Sequence, residues 1–160
     1  MDNYFAYFGV PVRFFPDEGR IRDKFMLEDT RLQPDFHNME DPEEQIENFD
    51  KASYNQEAYE TVTDYDYRME HILLLNDALA EDWDEPLDAS RYQFLEKWDN
   101  KVKGVAEEEL EDVIDAWVNE LDDKVYPLLE DHDKGVRTPQ LWKAIAEYFL
   151  TRQYLFSKID

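Results

Sequence analysis

The sequence predicts an all-α protein, in which an antiparallel helical hairpin near the N-terminus is followed by a C-terminal three-helix bundle. Apolar residues recur three or four positions apart along most of the chain, which places them on one face of a helix. Proline and glycine mark the breaks between these stretches, and no stretch alternates apolar and polar residues as a strand does. Ten phenylalanines, ten tyrosines and four tryptophans supply side chains for a core.

The N-terminal elements are a short aromatic helix and a longer second helix. Residues 4–8 are rich in aromatic side chains, and Gly9 behind them is typical of a helix end. Residues 16–18, Pro-Asp-Glu, form a helix start signal. The apolar positions of the second helix then share one face: Ile21, Phe25 and Leu32.

A polar break follows the second helix and leads into a third. Pro34 cannot continue a helix and forces the residue before it out of the helical conformation, so the second helix must stop at about Leu32. Asp41 is a typical N-cap and Pro42 a typical first helical residue. The third helix, about 20 residues long, should lie antiparallel to the second because the connection is short and both apolar faces need a partner. A shorter fourth helix is predicted over residues 65–75.

The second half of the chain carries three more helical patterns. Residues 76–87 lose the periodicity and gain acidic residues, which predicts an acidic linker between a domain at 1–75 and one at 88–160. The bundle helices are predicted from Asp88 to Lys103, from residue 105 to about 131 with a bend or break at Pro127, and from the N-cap Thr138 onward. Short links between them favour an antiparallel bundle.

Charge and composition exclude several classes of partner. The net charge of −23 comes from 40 acidic and 17 basic side chains, and it repels nucleic acids and anionic membranes. The acidity is typical of a solubilising surface, with an acidic binding face as the alternative. The N-terminus lacks a signal peptide pattern and the chain has no cysteine, which fits a soluble protein of the cytoplasm.

The pattern of polar residues predicts neither a metal site nor an enzyme. The three histidines lie in different segments, and none forms a ligand pair at a spacing of four. The four glycines do not cluster, so no phosphate-binding loop is visible. The acidic runs at residues 43–44 and 107–109 are typical of solvated helix starts. We therefore expect no catalytic residues, no cofactor and no metal.

Basic side chains form a stripe on the second helix, next to its apolar face. Arg20, Lys24 and Arg31 have the spacing of that face and lie about one residue's rotation away from it. Such a stripe on an acidic body can steer an acidic partner. Alternatively, these residues pair with neighbouring acids, Glu28 with Arg31 or with Lys24.

The N-terminal half resembles the J-domain of HscB-type co-chaperones, the dedicated J-proteins of iron–sulfur cluster assembly. The resemblance rests first on residues 4–11, which match the family pattern Tyr-Phe-x-x-Phe-Gly-hydrophobic-Pro. Residues 33–35 and residues 68–73 also match the family. A J-domain followed by a three-helix bundle is also the layout of that family. The resemblance is strong over residues 4–75 and weaker in sequence beyond them.

The resemblance implies docking on a DnaK-type chaperone and stimulation of its ATP hydrolysis. Family members use a His-Pro-Asp loop and the basic second helix for this purpose. The matching residues are Arg20, Lys24, Arg31, Gln33, Pro34 and Asp35. Taken without the resemblance, Pro34-Asp35 would be an ordinary turn between helices.

Gln33 stands where J-domains have histidine. Glutamine keeps hydrogen-bonding capacity, but it cannot carry a positive charge or offer a ring nitrogen. His37, four residues later, is a substitute only if the loop folds back. The alternative prediction is therefore a degenerate J-like module that has lost ATPase stimulation and only binds a client or complex.

The resemblance also implies a client-binding patch for an iron–sulfur scaffold on the C-terminal bundle. The family's apolar and acidic pattern is similar to residues 94–99 here, and an aromatic residue of the last helix completes it. The predicted client-binding residues are Phe94, Leu95, Trp98, Asp99 and Tyr154. Phe94 and Trp98 share a helical face and suit a docking surface, whereas the alternative is that Leu95 and Trp98 are core.

Overall fold

The structure, a computed structural model, describes residues 1–32 and 41–160. Within these ranges every regular element is helical, which confirms the all-α prediction. The elements are α1 (Tyr4–Tyr7), α2 (Glu18–Leu32), α3 (Pro42–Thr63), α4 (Tyr65–Leu75), a 3₁₀ turn (Gln93–Leu95), α5 (Glu96–Lys103), α6 (Glu107–Asp133) and α7 (Pro139–Phe156). They fall into two compact units, Met1–Ile72 and Leu73–Asp160.

The first unit is built on the α2–α3 hairpin. The Phe25 ring stacks on Tyr59 at 4.0 Å, whereas Arg31, further along α2, lines one cleft with Lys51, which comes earlier in α3. The two helices are therefore antiparallel, as predicted. The fully buried core side chains come from every part of the unit: Phe5, Ile21, Ala58, Val62, Met69 and Ile72.

Local signals account for the ends of these helices. Asn3 caps α1, because its side chain accepts the N–H of Ala6 at 3.1 Å. Gly9 has a φ of +68°, which glycine adopts without the steric cost that a Cβ brings, and it ends α1. Asp41 caps α3 by accepting the N–H of Glu43 at 3.0 Å.

The second unit contains α5, α6 and α7. One core cluster of this unit consists of Leu95, Ile114, Val118, Tyr154 and Leu155, with partly buried hydrophobic side chains packed around it. The predicted start of α7 is confirmed, since the Thr138 hydroxyl accepts the N–H of Leu141 at 3.2 Å.

The first bundle helix begins later than the sequence predicts. Asp88 does cap backbone N–H groups, those of Ser90 at 3.0 Å and Arg91 at 3.4 Å, but it closes a turn and not a helix. Ser90 also donates its hydroxyl to Asp88 at 2.5 Å. These local bonds compete with the helical ones, so regular helix begins only at the 3₁₀ turn.

Pro127 does not break α6. The helix continues to Asp133, although Pro127 offers no backbone N–H. Val125 and Leu129 on either side are buried, and their packing holds the helix across the proline.

Residues 76–87, predicted as an acidic linker, are packed within the second unit. Arg91 forms an ion pair with Asp82 at 2.9 Å and donates to the carbonyl of Glu85 at 3.1 Å. The Trp83 ring lies edge-on to Phe149 of α7 at 5.1 Å. The acidic composition of this segment therefore does not prevent it from folding against α7.

Candidate functional site

Polar contacts fix α1 against the rest of the first unit. The hydroxyl of Tyr7 donates to Oδ1 of Asn55 at 2.7 Å, and Nδ2 of Asn55 donates to the carbonyl of Phe25 at 3.2 Å. Asn55 is 1% exposed, so one buried amide connects α1, α2 and α3. The buried amide therefore helps to hold α1 and α2 against α3.

The basic side chains of α2 bind groups of their own unit. Arg20 donates to the carbonyl of Gly9 at 3.2 Å. Lys24 donates to the carbonyl of Tyr7 at 2.5 Å, and its Nζ lies 4.6 Å from the centre of the Tyr7 ring. These contacts bring the predicted stripe up to the C-terminal end of α1, where backbone carbonyls lack helical partners.

Arg31 pairs with a neighbouring acid, which is the alternative that the sequence left open for the stripe. Its guanidinium contacts the Glu28 carboxylate at 2.5 Å, three residues earlier on the helix. The Arg31 side chain nevertheless remains 66% exposed, so its charge still faces solvent. An exposed pair of this kind contributes little to stability.

A small cleft between α1, α2 and α3 was missed by the sequence prediction. It has a volume of about 260 Å³ and lies between Arg31 and Lys51, with Tyr7 and Tyr54 as its aromatic walls. Tyr54 lies one residue before the buried Asn55, and neither Tyr54 nor Lys51 was singled out from the sequence. The predicted docking residues Gln33, Pro34 and Asp35, and also His37, lie outside the described residues.

The structure brings the predicted client-binding residues together but buries two of them. Leu95 is 0% and Tyr154 1% exposed, and both belong to the core cluster, so they cannot contact a client in this conformation. Sequence periodicity marked an apolar face without showing which part of it was covered. Phe94 and Trp98 are only partly buried and pack against the same cluster.

Asp99 links the core to the surface. It accepts the hydroxyl of Tyr154 at 2.8 Å and pairs with Lys103 at 2.9 Å. The bond from Lys103, followed by that from Tyr154, lowers the pKa of the Asp99 carboxyl. Burial, followed by the bond to Asp99, raises the pKa of Tyr154. Asp99 therefore fixes the register between α5 and α7.

Lysines surround the indole of Trp98. Nζ of Lys101 lies 4.6 Å and Nζ of Lys97 5.7 Å from the centre of the Trp98 ring. The Trp117 ring of α6 packs edge-on to the same indole at 5.8 Å. We call the surface formed by Phe94, Lys97, Trp98 and Lys101 the α5 face. Its lysines were missed because the resemblance directed attention to acidic residues.

Comparison with solved structures gives the fold. The chain matches the chaperone HscB from Vibrio cholerae with a TM-score of 0.58, over 98% of this chain and 92% of that chain. It has an HscB-like fold. The two sequences are 20% identical. No family model and no curated protein matches the chain.

Within the described part of this HscB-like fold, the side chains do not assemble a metal centre. No group of three or more histidine, aspartate or glutamate side chains is placed to hold an ion there. None of the helices described combines the length and the apolar character needed to cross a bilayer. The predicted binding residues that the structure describes lie on or beneath two surfaces, the basic side of α2 and the α5 face.

Proposed function

We propose that this chain is an HscB-type co-chaperone, which binds a DnaK-type chaperone through its J-like domain and an iron–sulfur scaffold or other client through its C-terminal bundle. The observation that carries the proposal is the HscB-like fold, which spans both compact units and 98% of the chain. The sequence predicts a J-like domain at 1–75 and a bundle at 88–160, whereas the two compact units meet between Ile72 and Leu73. The protein would act by binding and not as an enzyme.

The chaperone-binding surface in this proposal is the basic side of α2 together with the loop that follows it. Arg20 and Arg31 are exposed and lie on the same helix, with Lys24 between them. The contacts to Gly9, Tyr7 and Glu28 hold these cations in fixed places, which lowers the entropy lost when an acidic partner binds. Gln33, Pro34 and Asp35 would supply the loop contacts.

The client-binding surface in this proposal is the α5 face. Phe94 and Trp98 offer partly exposed aromatic anchors, a residue type that dominates binding energy in protein interfaces. Leu95 and Tyr154 support these anchors from within, and the partly exposed Asp99 accepts the hydroxyl of Tyr154. Lys97 and Lys101 give the rim a positive charge, so a client with acidic groups beside an apolar surface would suit it.

Single-turnover ATP hydrolysis by the cognate DnaK-type chaperone tests the proposed chaperone binding. We expect the protein to accelerate hydrolysis and the double variant Arg20→Ala/Arg31→Ala to lose that acceleration. The matched control is Lys124→Ala/Lys134→Ala, which makes the same change in net charge at exposed positions of α6 and the residue after it. No acceleration by the natural protein, and none gained by Gln33→His, would eliminate ATPase stimulation.

A specific observation favours the second candidate, a degenerate J-like module that only binds a client or complex. Gln33 cannot provide the charge or ring of the histidine expected there. This candidate predicts capture of a client without ATPase acceleration. A pull-down from native lysate with the natural protein and with Trp98→Ala identifies the client under both candidates, and the hydrolysis assay separates them.

A further inference from the structure

An open groove runs along α7 in the second unit. It shares Phe94 with the α5 face and is otherwise separate from the two surfaces of the proposed function. It has a volume of about 450 Å³. Its floor is formed by Trp142, Ala146 and Leu150, which recur every four residues, and Tyr92 and Phe94 form a wall. The floor residues span about 12 Å at 1.5 Å per residue, which is two turns of helix. We call this feature the α7 groove.

The depth of the groove comes from a small residue. Ala146 carries only a methyl group between the larger side chains of Trp142 and Leu150. A bulky apolar side chain of a partner can therefore be seated above Ala146, with the indole on one side. Since apolar surface gains free energy when it leaves water, such an anchor would be favourable.

The walls of the groove are held in place by contacts outside it. The Trp142 ring packs edge-on against the buried His132 at 5.1 Å. The hydroxyl of Tyr92 donates to the carbonyl of Trp83 at 2.8 Å, and Trp83 in turn packs on Phe149. The groove is thus already formed without an occupant, so binding does not first have to order its walls.

The charges at the rim favour a cationic occupant. Asp77 and Glu147 line the groove against a single cation, Lys143. The whole chain adds a net charge of −23, which attracts a basic segment and repels a second copy of the same chain. The electrostatic potential at the rim and that of the whole chain are therefore both negative and favour a basic partner.

We propose that the α7 groove binds one face of a cationic amphipathic helix from a partner protein. The apolar face of such a helix, with bulky side chains three or four residues apart, matches the four-residue repeat of the floor. Its basic residues lie over Asp77 and Glu147, and one bulky side chain is seated over Ala146. This proposal does not depend on chaperone binding or on the identity of the client.

A pair of synthetic peptides tests the proposal with the full chain. Both have 16 residues with leucine at one helical face, and the other positions carry lysine in one peptide and glutamate in the other. We expect the lysine peptide to shift the amide NMR signals of residues 142–150 in the ¹⁵N-labelled protein, and the glutamate peptide to leave them unchanged. Absence of shifts with the lysine peptide, or equal shifts with both, would overturn the proposal.

Neutralising the rim separates local binding from the general field. Asp77→Asn/Glu147→Gln removes both rim carboxylates, and asparagine tolerates the positive φ of 54° at position 77. Glu108→Gln/Asp112→Asn is the matched control, with the same change in net charge at exposed positions of α6. We expect the rim variant to bind the lysine peptide about fivefold more weakly than the control. Equal weakening in both variants would show attraction by net charge alone and would refute the site.

Filling the groove gives a second, independent test. Ala146→Phe places a ring where the partner's side chain is proposed to lie, and we expect it to weaken the lysine peptide by on the order of tenfold. The amide NMR spectrum shows whether Ala146→Phe is folded. If this variant does not fold, the binding measurements on the rim variants test the proposal alone. Undiminished binding by a folded Ala146→Phe, or a stable dimer of the natural protein in sedimentation equilibrium that occupies the groove, would contradict the proposal.

Discussion

The backbone N–H of Tyr4 donates a hydrogen bond to Nε2 of His71 at 3.2 Å, across 67 positions of sequence. The Tyr4 ring also stacks on the imidazole, with the ring centres 4.9 Å apart. His71 is 6% exposed and must offer a lone pair at Nε2, so it is held in the neutral form. This contact secures α1 to α4 within the first unit.

Acidification should therefore weaken the first unit. Burial lowers the pKa of His71 below its ordinary value of 6.5. Above pH 6.5 the imidazole is neutral in the folded and the unfolded chain, so its contribution to stability is fully present. As the pH falls below 6.5, only the unfolded chain takes up the proton, and the free energy of unfolding falls by at most about 1.4 kcal/mol per pH unit until the folded-state pKa is reached.

Urea denaturation at pH 7.5 and pH 5.5 measures this loss. His71→Gln is the matched variant, because a glutamine oxygen can accept the Tyr4 N–H but does not titrate in this range. The difference in the free energy of unfolding between pH 7.5 and pH 5.5 should be smaller in the variant. An NMR titration in which His71 takes up its proton at or above pH 6.5 would contradict the prediction.

Asn55→Ala should destabilise the first unit by about 1–3 kcal/mol. The substitution removes the acceptor of the Tyr7 hydroxyl and the donor to the Phe25 carbonyl, and it leaves both groups partly buried without these partners. Urea denaturation compares it with Gln56→Ala, an exposed neighbour on the same helix, which should change stability by less than about 0.5 kcal/mol. Equal effects of the two variants would show that the buried amide does not connect the three helices.

Arg68→Lys should cost about 2 kcal/mol although it keeps the charge. Nε of Arg68 donates to the carbonyl of Phe14 at 2.9 Å, and NH1 donates to the carbonyl of Val62 at 3.0 Å. A single ammonium group cannot reproduce the planar fork that reaches both carbonyls. Thermal or urea unfolding measures the loss, with the exposed Arg22→Lys on α2 as control. If lysine supports the same stability at position 68, the two carbonyls do not require arginine.

The sequence predicted helix starts well where they depend on neighbouring residues. Asp41 and Thr138 both cap the helices that begin beside them, because a cap bond spans only two or three positions. Asp88 made the same local bonds but did not start a helix, since Ser90 bound its side chain as well. A cap signal therefore indicates a turn of the chain, and the packing beyond it determines whether a helix follows.

Burial was harder to predict than secondary structure. The spacing of Leu95 and Trp98 showed an apolar face of the bundle, but only the packing of α6 and α7 determines that Leu95 is covered and Trp98 partly exposed. Tyr154 was predicted at the surface because it is similar to the aromatic residue that completes the client-binding patch in the HscB-type family. In the structure that hydroxyl is satisfied internally by Asp99, which allows the whole side chain to be buried.

The difference in burial between Trp98 and Leu95 separates client binding from folding. Trp98→Ala should weaken client capture by about 1–3 kcal/mol, because it removes an aromatic anchor of the proposed α5 face. Leu95→Ala should instead lower the free energy of unfolding by about 2–5 kcal/mol, because it opens a cavity in the core cluster. Isothermal titration with the captured client, together with urea denaturation, measures both effects for each variant.

Lys101→Ala completes this comparison, because it leaves the aromatic packing intact and removes only a charge beside the indole. Nζ of Lys101 lies 4.6 Å from the Trp98 ring and 5.9 Å from the Trp117 ring, and the side chain is exposed. We expect an unchanged urea midpoint and weaker binding of an acidic client, with the effect decreasing at high salt as the charges are screened. If Trp98→Ala loses binding only in proportion to its loss of folded protein, and Lys101→Ala binds as the natural protein does, then the α5 face is core packing and not a client site.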